Sequence, residues 1–247
     1  MGNEVMVVKP GSYAVTTPNA ASFVQQGFES GVGAFDLTRV KVPAGGVTQW
    51  AIPGLGDEDT YTPQIDCVVA LVQARQKAWW REGMDAGGGG QPPACSSTNG
   101  LIGNGNNRSD GKPEGDGAHE CADCEWNQWD SARNGTGGKD CKDFARLYVF
   151  RPESRMPTLV TVPATSLKAM QKYVMKLMDA GRSISGVVTR LRLVKAKSGS
   201  GIEYSQIAFS YGGDLPEAEV EAMKEVGAVL RRNLATRTAA ADAADVG

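Results

Sequence analysis

Apolar and polar residues alternate along several stretches of the chain, and a period of two predicts β-strands. The clearest stretch covers residues 65–80, where apolar side chains at positions 68, 70, 72 and 74 share one face. Polar, basic and aromatic side chains at positions 73, 75, 77 and 79 share the other face. Shorter strands are predicted at 38–42, 47–52, 145–150, 158–162, 186–197 and 203–211. The first two, separated by a Pro-Ala-Gly-Gly turn, predict one hairpin, and the last two predict another.

Two later segments have apolar residues at helical spacing. The first is predicted to begin at Thr165 or Ser166 and to end at Gly181, since these residue types favour helix starts and stops. Its apolar face comprises Leu167, Met170, Val174, Leu177 and Met178. In the second, Pro216 suits the first helical position. Its apolar face comprises Val220, Met223, Val226, Leu230 and Leu234.

This order of elements predicts a mainly β fold with α-helices, in which an OB-type barrel contains a helix inserted between strand pairs. Residues 35–213 are expected to form the barrel, interrupted by an insertion at about 81–144. Residues 1–34 are expected to form an extended N-terminal arm with one short strand at 5–8. Residues 214–236 form the C-terminal helix, and the Ala-rich tail at 237–247 is expected to be disordered.

Four of the five cysteines lie in the insertion, which has very few aliphatic residues. Cys95, Cys121, Cys124 and Cys141 have the spacing C-x25-C-x2-C-x16-C. Such a segment cannot order itself by burying apolar surface, so we predict a structural Zn²⁺ held by the four thiolates. Disulfides or free thiols are the alternatives, and His119, the only histidine, is an alternative ligand. Cys67, in the strand at 65–80, is expected to be a plain core or edge thiol.

The net charge of −2 conceals a division along the chain. Residues 144–213 contain eleven basic and three acidic side chains, a local net charge of +8. Residues 81–143 contain six basic and eleven acidic side chains, a local net charge of −5. A basic block that folds onto one face favours a polyanionic partner.

Basic and aromatic side chains that alternate with core positions are typical of surfaces that bind single-stranded nucleic acid, because arginine and lysine contact phosphates while aromatic rings stack on bases. The predicted DNA-binding residues are Arg39, Lys41, Trp50, Gln73, Arg75, Lys77, Trp79, Trp80, Arg146, Tyr148, Arg190, Arg192, Lys195 and Lys197. An alternative for Trp79 is that it plugs one end of the barrel.

The residue inventory argues against an enzyme. A single histidine disfavours nucleophilic triads, and neither G-x-x-x-x-G-K-S/T nor a strand-associated G-x-G-x-x-G is present. The acidic residues of the insertion lack the rigid strands that a two-metal nuclease needs, so a nuclease is a distant alternative. The chain has no apolar run long enough for a membrane span and its first residues do not resemble a signal peptide. We therefore expect a cytoplasmic protein without membrane contacts.

Several segments occur in a familiar order. They are R-V-K-V-P-A-G-G, P-P-A-C-S-S-T-N-G, C-A-D-C-E-W-N-Q-W, G-G-K-D-C-K, R-L-Y-V-F, P-A-T-S-L-K, V-V-T-R-L-R-L and I-E-Y-S-Q-I-A-F. This succession, over about residues 35–213, resembles a family of phage and mobile-element single-stranded DNA-binding proteins. Glu125 and Asp130 stand where the family pattern C-x-x-C-P-x-N-x-aromatic-G-S has Pro and Gly. The arrangement is also similar in outline to the single-strand-binding proteins of T4-type phages, an OB fold with a zinc subdomain.

The resemblance implies a non-catalytic, sequence-tolerant protein of phage or mobile-element replication and recombination. Its expected partners are single-stranded DNA, further copies of itself along the strand, and replication or recombination proteins. If the chain is phage-encoded, the host cytoplasm is its expected location. A zinc-ribbon module that binds a polymerase or duplex DNA is one alternative function, and a protein-interaction scaffold is another.

Overall fold

The computed structural model describes residues 7–16, 19–32, 36–54, 58–81, 93–105, 117–133, 135, 137–199 and 201–235. The chain divides into two compact units. The first comprises Met1–Val72 and Leu147–Ala235, and the second comprises Gln73–Arg146. The predicted insertion at 81–144 lies inside the second unit. The predicted tail at 237–247 lies outside the described residues.

The described part of the chain is mainly β, with three α-helices. The strands are β1 (Arg39–Val40), β2 (Trp50–Pro53), β3 (Asp59–Thr62), β4 (Gln64–Trp79), β5 (Cys95–Ser97), β6 (Ile102–Gly105), β7 (Ala118–Glu120), β8 (Lys142–Phe150), β9 (Thr158–Pro163), β10 (Val187–Lys197) and β11 (Glu203–Asp214). The helices are α1 (Ala20–Glu29), α2 (Ala164–Asp179) and α3 (Glu217–Ala235). None of them combines the length and apolar character needed to cross a bilayer. Strands β4 and β8 each begin in one unit and end in the other.

The sheet of the first unit is open and mixed, so the expected closed OB-type barrel is wrong. Its strands follow the order β1-β9-β8-β4-β10-β11. Strand β1 pairs with β9 in parallel, whereas β10 is antiparallel to both β4 and β11. The predicted hairpin at 38–42 and 47–52 is also wrong, because β2 pairs with β3 in a separate two-stranded sheet.

The N-terminal segment is folded, contrary to the expected extended arm. Helix α1 occupies Ala20–Glu29, and Val24 on its inner face is fully buried. Tyr13 and Val15, upstream of the helix, belong to the same hydrophobic core. Of the predicted strand at 5–8, the described part forms a single parallel bridge, in which the Val8 amide donates to the Asp214 carbonyl at 2.8 Å. The segment is therefore held by core packing within its own chain.

Helix α3 packs against the middle of β4. Met223, Val226, Leu230 and Leu234 are buried, which confirms the predicted apolar face except for Val220, which is half-buried. A Cβ atom at Gly227 would lie 2.6 Å from the Ala70 carbonyl oxygen. The helix therefore approaches the strand backbone at a position that only glycine accommodates.

Helix α2 buries Met170 and Leu177 of the predicted apolar face and half-buries Leu167 and Val174, but it exposes Met178. Met170, Tyr173 and Leu177 are buried, while Met178 is 63% exposed. The Tyr173 hydroxyl lies 2.9 Å from the Thr189 hydroxyl, and its ring stacks on Phe209. Because a tyrosine contributes a large apolar ring, the buried face rotates towards it. Gly181 follows the helix at φ 70°, which confirms the predicted stop.

Candidate functional site

The four cysteines predicted as metal ligands line one small enclosed cavity in the second unit. The cavity has a volume of about 10 Å³, room for about one water-sized sphere. His119 also lines it, together with Lys77, Trp79, Ser96, Ser97 and Asn127. All four cysteines are buried. Residues separated by up to 46 positions along the chain therefore converge on one point.

Short strands and a compact turn position the cysteine side chains. Cys95 lies on β5, paired with Trp79 of β4 on one side and with Gly105 of β6 on the other. The Cys121 amide donates to the Leu101 carbonyl at 2.7 Å, and the Cys141 amide donates to the Trp126 carbonyl at 2.8 Å.

The turn at 121–127 is tied by Asn127. Its side-chain amide donates to the Cys121 carbonyl at 2.6 Å, and its backbone amide donates to the Cys124 carbonyl at 3.0 Å. These bonds fix the backbone on both sides of the C-x2-C pair. Asp130 has φ 65°, a left-handed conformation that glycine adopts freely and aspartate tolerates.

His119 lies next to one of the cysteines. Its Nε2 atom is 3.4 Å from Cys95 Sγ. Its partner across the β6–β7 ladder is Gly103, where a Cβ atom would lie 2.6 Å from Nε2 and 3.1 Å from Cys95 Sγ. Because residue 103 is glycine, the His119 imidazole and the Cys95 thiol fit side by side. Both candidate ligand sets therefore stay open: the four cysteines, or a set in which His119 replaces one of them.

Burial raises the pKa of the Cys95 thiol to about 12, and Cys121 and Cys124 add to the shift. Burial likewise raises the pKa of Cys141 to about 12, and the Lys77 ammonium acts in the opposite direction. The pKa of Cys121 is also raised by burial, against a hydrogen bond from Ser97 and the charge of Lys77. Lys77 contacts Asp143 and donates to Asn127 at 2.8 Å, so a positive charge is held beside the thiols.

None of the five cysteines, all of which are described, forms a disulfide. Within the described residues, no group of three or more His, Cys, Asp or Glu side chains already has the arrangement of a metal site. The cysteines therefore share a cavity without coordination geometry, and the zinc stays a prediction.

An aromatic cluster covers the cysteines. Trp79 stacks on Trp126 with a centroid separation of 5.0 Å, and the Arg133 guanidinium lies 5.6 Å from each ring centroid. The Trp79 indole donates to Asp140 Oδ2 at 2.7 Å, and Arg133 also donates to that oxygen. Trp79 is only 2% exposed. It is a packed cover of the cysteine cavity, so the expectation that it presents a stacking surface is wrong.

Three further predicted DNA contacts are enclosed in the fold. Trp50 is fully buried and donates to the Leu191 carbonyl at 3.2 Å. Arg146 and Tyr148 are also buried, because β8 is covered on both faces from Phe144 to Phe150. The Arg146 guanidinium lies 5.2 Å from the centroid of Phe144. Alternation along a strand indicates two faces, but it does not show whether the second face is covered.

The remaining predicted contacts are exposed or half-buried and are divided between the units. Gln73, Arg75, Lys77 and Trp80 belong to the second unit. Arg39, Lys41, Arg190, Arg192, Lys195 and Lys197 belong to the first.

One face of the β10–β11 hairpin brings predicted residues together. Arg190, Arg192 and Val194 alternate with the buried Leu191 and Leu193. Their partners across the ladder are Ser210, Ala208 and Gln206, and the next pair on this face is Ala196 with Tyr204. Arg192 and Val194 are exposed, and Tyr204 is partly exposed.

Tyr204 is not among the predicted contacts. The signal for it was available, because Tyr204 alternates with Ser205 and Ile207, which are buried. At the tip of the hairpin, Glu203 contacts Lys195 at 2.5 Å and Lys197 at 3.4 Å, and these contacts lower the pKa of the glutamate. Comparison of the chain with protein-family models, with curated proteins and with solved structures found no match.

Proposed function

We propose that this chain is a non-catalytic, sequence-tolerant single-stranded DNA-binding protein. The observation that carries the proposal is the partly open β10–β11 face, defined here as Arg190, Arg192, Val194, Ala196, Tyr204, Gln206, Ala208 and Ser210. It combines positive charge with an aromatic ring on a regular two-stranded ladder. Single-strand-binding surfaces need both features, because phosphates are bound by charge and bases are bound by stacking.

The two arginines differ in how far their charge is engaged. Arg190 lies 3.6 Å from Asp66, so part of its charge is balanced within the fold. Arg192 donates to the neutral amide oxygen of Gln64 at 2.5 Å. Its guanidinium keeps further donors in a planar fork, the geometry that suits a phosphate. Arg192 is therefore the main phosphate contact of the face.

Tyr204 supplies the aromatic surface. It lies opposite Ala196, a small residue, and diagonal to Val194, which is 42% exposed. Diagonal neighbours on one sheet face are close enough for a ring to pack against an aliphatic side chain. A base that stacks on Tyr204 would therefore also cover Val194, whose exposure costs free energy in the unbound protein.

A structural Zn²⁺ belongs to the same proposal. Four buried thiols and an imidazole surround a cavity of about one water-sized sphere, and this soft donor set suits zinc. Cys95, Cys121, Cys124 and Cys141 would hold it, and four protein ligands make a closed, non-catalytic site. When bound, the ion cross-links β5, the turn at 121–127 and the start of β8. The residues of the chain itself supply the DNA contacts.

A protein-interaction role of the second unit is the other candidate, favoured by Trp129. This side chain is 74% exposed, and Lys139 Nζ lies 5.8 Å from its ring centroid. Exposed tryptophans are common energetic centres of protein interfaces. The acidic balance of residues 81–143 favours a basic protein partner over DNA at that surface.

Substitutions on the β10–β11 face test the proposal. Arg192→Ala is expected to weaken binding of a labelled dT oligomer and to reduce the slope of log affinity against log salt by about 0.7, the value for one lost phosphate contact. Tyr204→Ala is expected to weaken binding by about 5- to 150-fold with no change in that slope. Lys172→Ala on the exposed side of α2 is the control. Parental binding by both Arg192→Ala and Tyr204→Ala would exclude this face.

A further inference from the structure

A second surface of the first unit is a cleft of about 610 Å³ between the end of α1 and the β8–β9 turn. Its volume lies within the range of small-molecule sites. None of its lining residues is on β10 or β11. No binding or catalytic role was predicted for any of them.

The floor of the cleft consists of buried residues. Leu37, Pro157 and Thr158 are buried there, and the Leu159 amide donates to the Thr38 carbonyl at 2.8 Å. Helix α1 meets this floor at Gly27, where a Cβ atom would lie 3.0 Å from Met156 Cε. The cleft is therefore bounded by residues that are packed into the first unit.

One wall offers planar groups for stacking. Phe23 is 44% exposed at the cleft, and the Arg155 guanidinium lies 5.9 Å from its ring centroid. Phe23 is not part of the core cluster that α1 forms with α3. Nucleic-acid bases stack both on aromatic rings and on guanidinium planes, so this pair suits a planar base.

The same wall carries positive charge. Arg155 is exposed and, among the described residues, no carboxylate is within ion-pair distance of it. Arg151 contacts Glu153 at 2.8 Å, but its buried Nε atom has no hydrogen-bond partner in the described part of the chain. Arg151 also lines the cleft, so its guanidinium adds positive charge there.

We propose that this cleft binds one nucleotide, with its base stacked on Phe23 and its phosphate held by Arg155 and Arg151. A free nucleotide and a nucleotide within a single strand share this chemistry. Binding of a nucleotide within a strand rests on the proposed function, whereas binding of a free nucleotide does not. Neither adds a covalent step.

Two probes distinguish the sources: dTMP by equilibrium dialysis and a labelled dT oligomer by fluorescence anisotropy. Phe23→Ala is expected to weaken binding of the probe that the cleft accepts, dTMP or the oligomer, by about 5- to 150-fold. Arg155→Ala is expected to weaken it as well and, for the oligomer, to reduce the salt slope by about 0.7. Lys172→Ala is the charge control, and melting temperatures establish that each variant is folded.

The outcomes separate the two proposals. Weakened dTMP binding with parental oligomer binding identifies a free nucleotide, and weakened oligomer binding identifies the strand. If the parent binds either probe and both cleft variants match it, the cleft proposal is overturned, and an effect of Arg192→Ala on the oligomer leaves the proposed function standing. A parent that binds dTMP but no oligomer overturns the proposed function alone. A parent that binds neither probe overturns both.

Discussion

At the scale of single residues, burial decides which aromatic side chains can meet a ligand. Trp50, Trp79 and Tyr148 alternate with apolar neighbours much as Tyr204 does, yet the first three are enclosed and only Tyr204 reaches the surface. Each enclosed tryptophan directs its indole N–H to a specific acceptor, Leu191 or Asp140. Their role is to hold the fold together.

Trp79→Ala is expected to lower the free energy of unfolding by about 3–5 kcal/mol, because the substitution empties the space between the cysteines and Trp126. Trp129→Ala is the matched control, since that tryptophan is 74% exposed and its loss should change stability by about 0.5 kcal/mol or less. Urea denaturation of both variants measures the difference. Equal stability of the two variants would show that Trp79 is not a packed cover.

At the scale of secondary-structure elements, local patterns predicted which segments are strands or helices better than they predicted partners. Strands β4, β8, β9, β10 and β11 and helices α2 and α3 lie close to their predicted positions. The predicted barrel failed because Arg39 and Val40 pair in parallel with Leu159 and Val160, and no local signal specifies so distant a partner. Helix α1 was missed because Gly27 and its polar neighbours weaken the helical pattern, whereas packing against Met156 and α3 stabilises it.

The candidate sites show the same contrast between local features, which the sequence predicts, and distant contacts, which it does not. The convergence of the four cysteines could be predicted, because C-x2-C spacing and a lack of aliphatic residues are local features. The positions of Phe23 and Arg155 in one cleft could not be predicted, because the two residues lie 132 positions apart and α1 was not expected.

The close contact between α3 and β4 predicts that alanine at position 227 destabilises the protein, whereas helix propensity alone predicts that it stabilises the protein. Alanine normally stabilises a helix interior by about 1 kcal/mol relative to glycine. Gly227→Ala is nevertheless expected to destabilise the protein by about 1–3 kcal/mol, because the new Cβ atom would lie 2.6 Å from the Ala70 carbonyl oxygen. Gly199→Ala, where no atom lies within 4 Å and φ is not positive, is the control. A Gly227→Ala protein that melts at or above the parental temperature would contradict this packing.

At the scale of the whole molecule, the two units depend on different sources of stability. The first has a hydrophobic core that includes Tyr13, Val68, Phe150, Val226 and Leu230. Among the described residues of the second unit, the buried hydrophobic clusters are small, such as Ala78 with Phe144 and Trp79 with Cys95 and Cys141. A metal is therefore expected to order the second unit and to matter little for the first.

Chelation of the purified protein is expected to remove one zinc per chain and to abolish hydrogen-exchange protection within residues 73–146, while β10 and β11 stay protected. Cys121→Ser is expected to do the same. Cys67→Ser is the control, because Cys67 is fully buried on β4, burial raises its thiol pKa, and its Sγ lies 3.5 Å from the Thr189 carbonyl. His119→Ala distinguishes the two ligand sets, since it leaves the zinc content unchanged if four cysteines bind. Zinc retained by Cys121→Ser, or lost from Cys67→Ser, would refute the assignment.

The central claim is that the protein binds single-stranded DNA by charge and stacking. The most direct measurement is a fluorescence anisotropy titration of the zinc-loaded protein with a labelled dT oligomer and with a duplex of the same length, each at several salt concentrations. We predict tighter binding of the oligomer and an affinity that falls linearly on a log–log plot as salt rises, with a slope of about −0.7 for each phosphate contacted. Equal or tighter binding of the duplex, or no binding of the oligomer at low salt, would contradict the account.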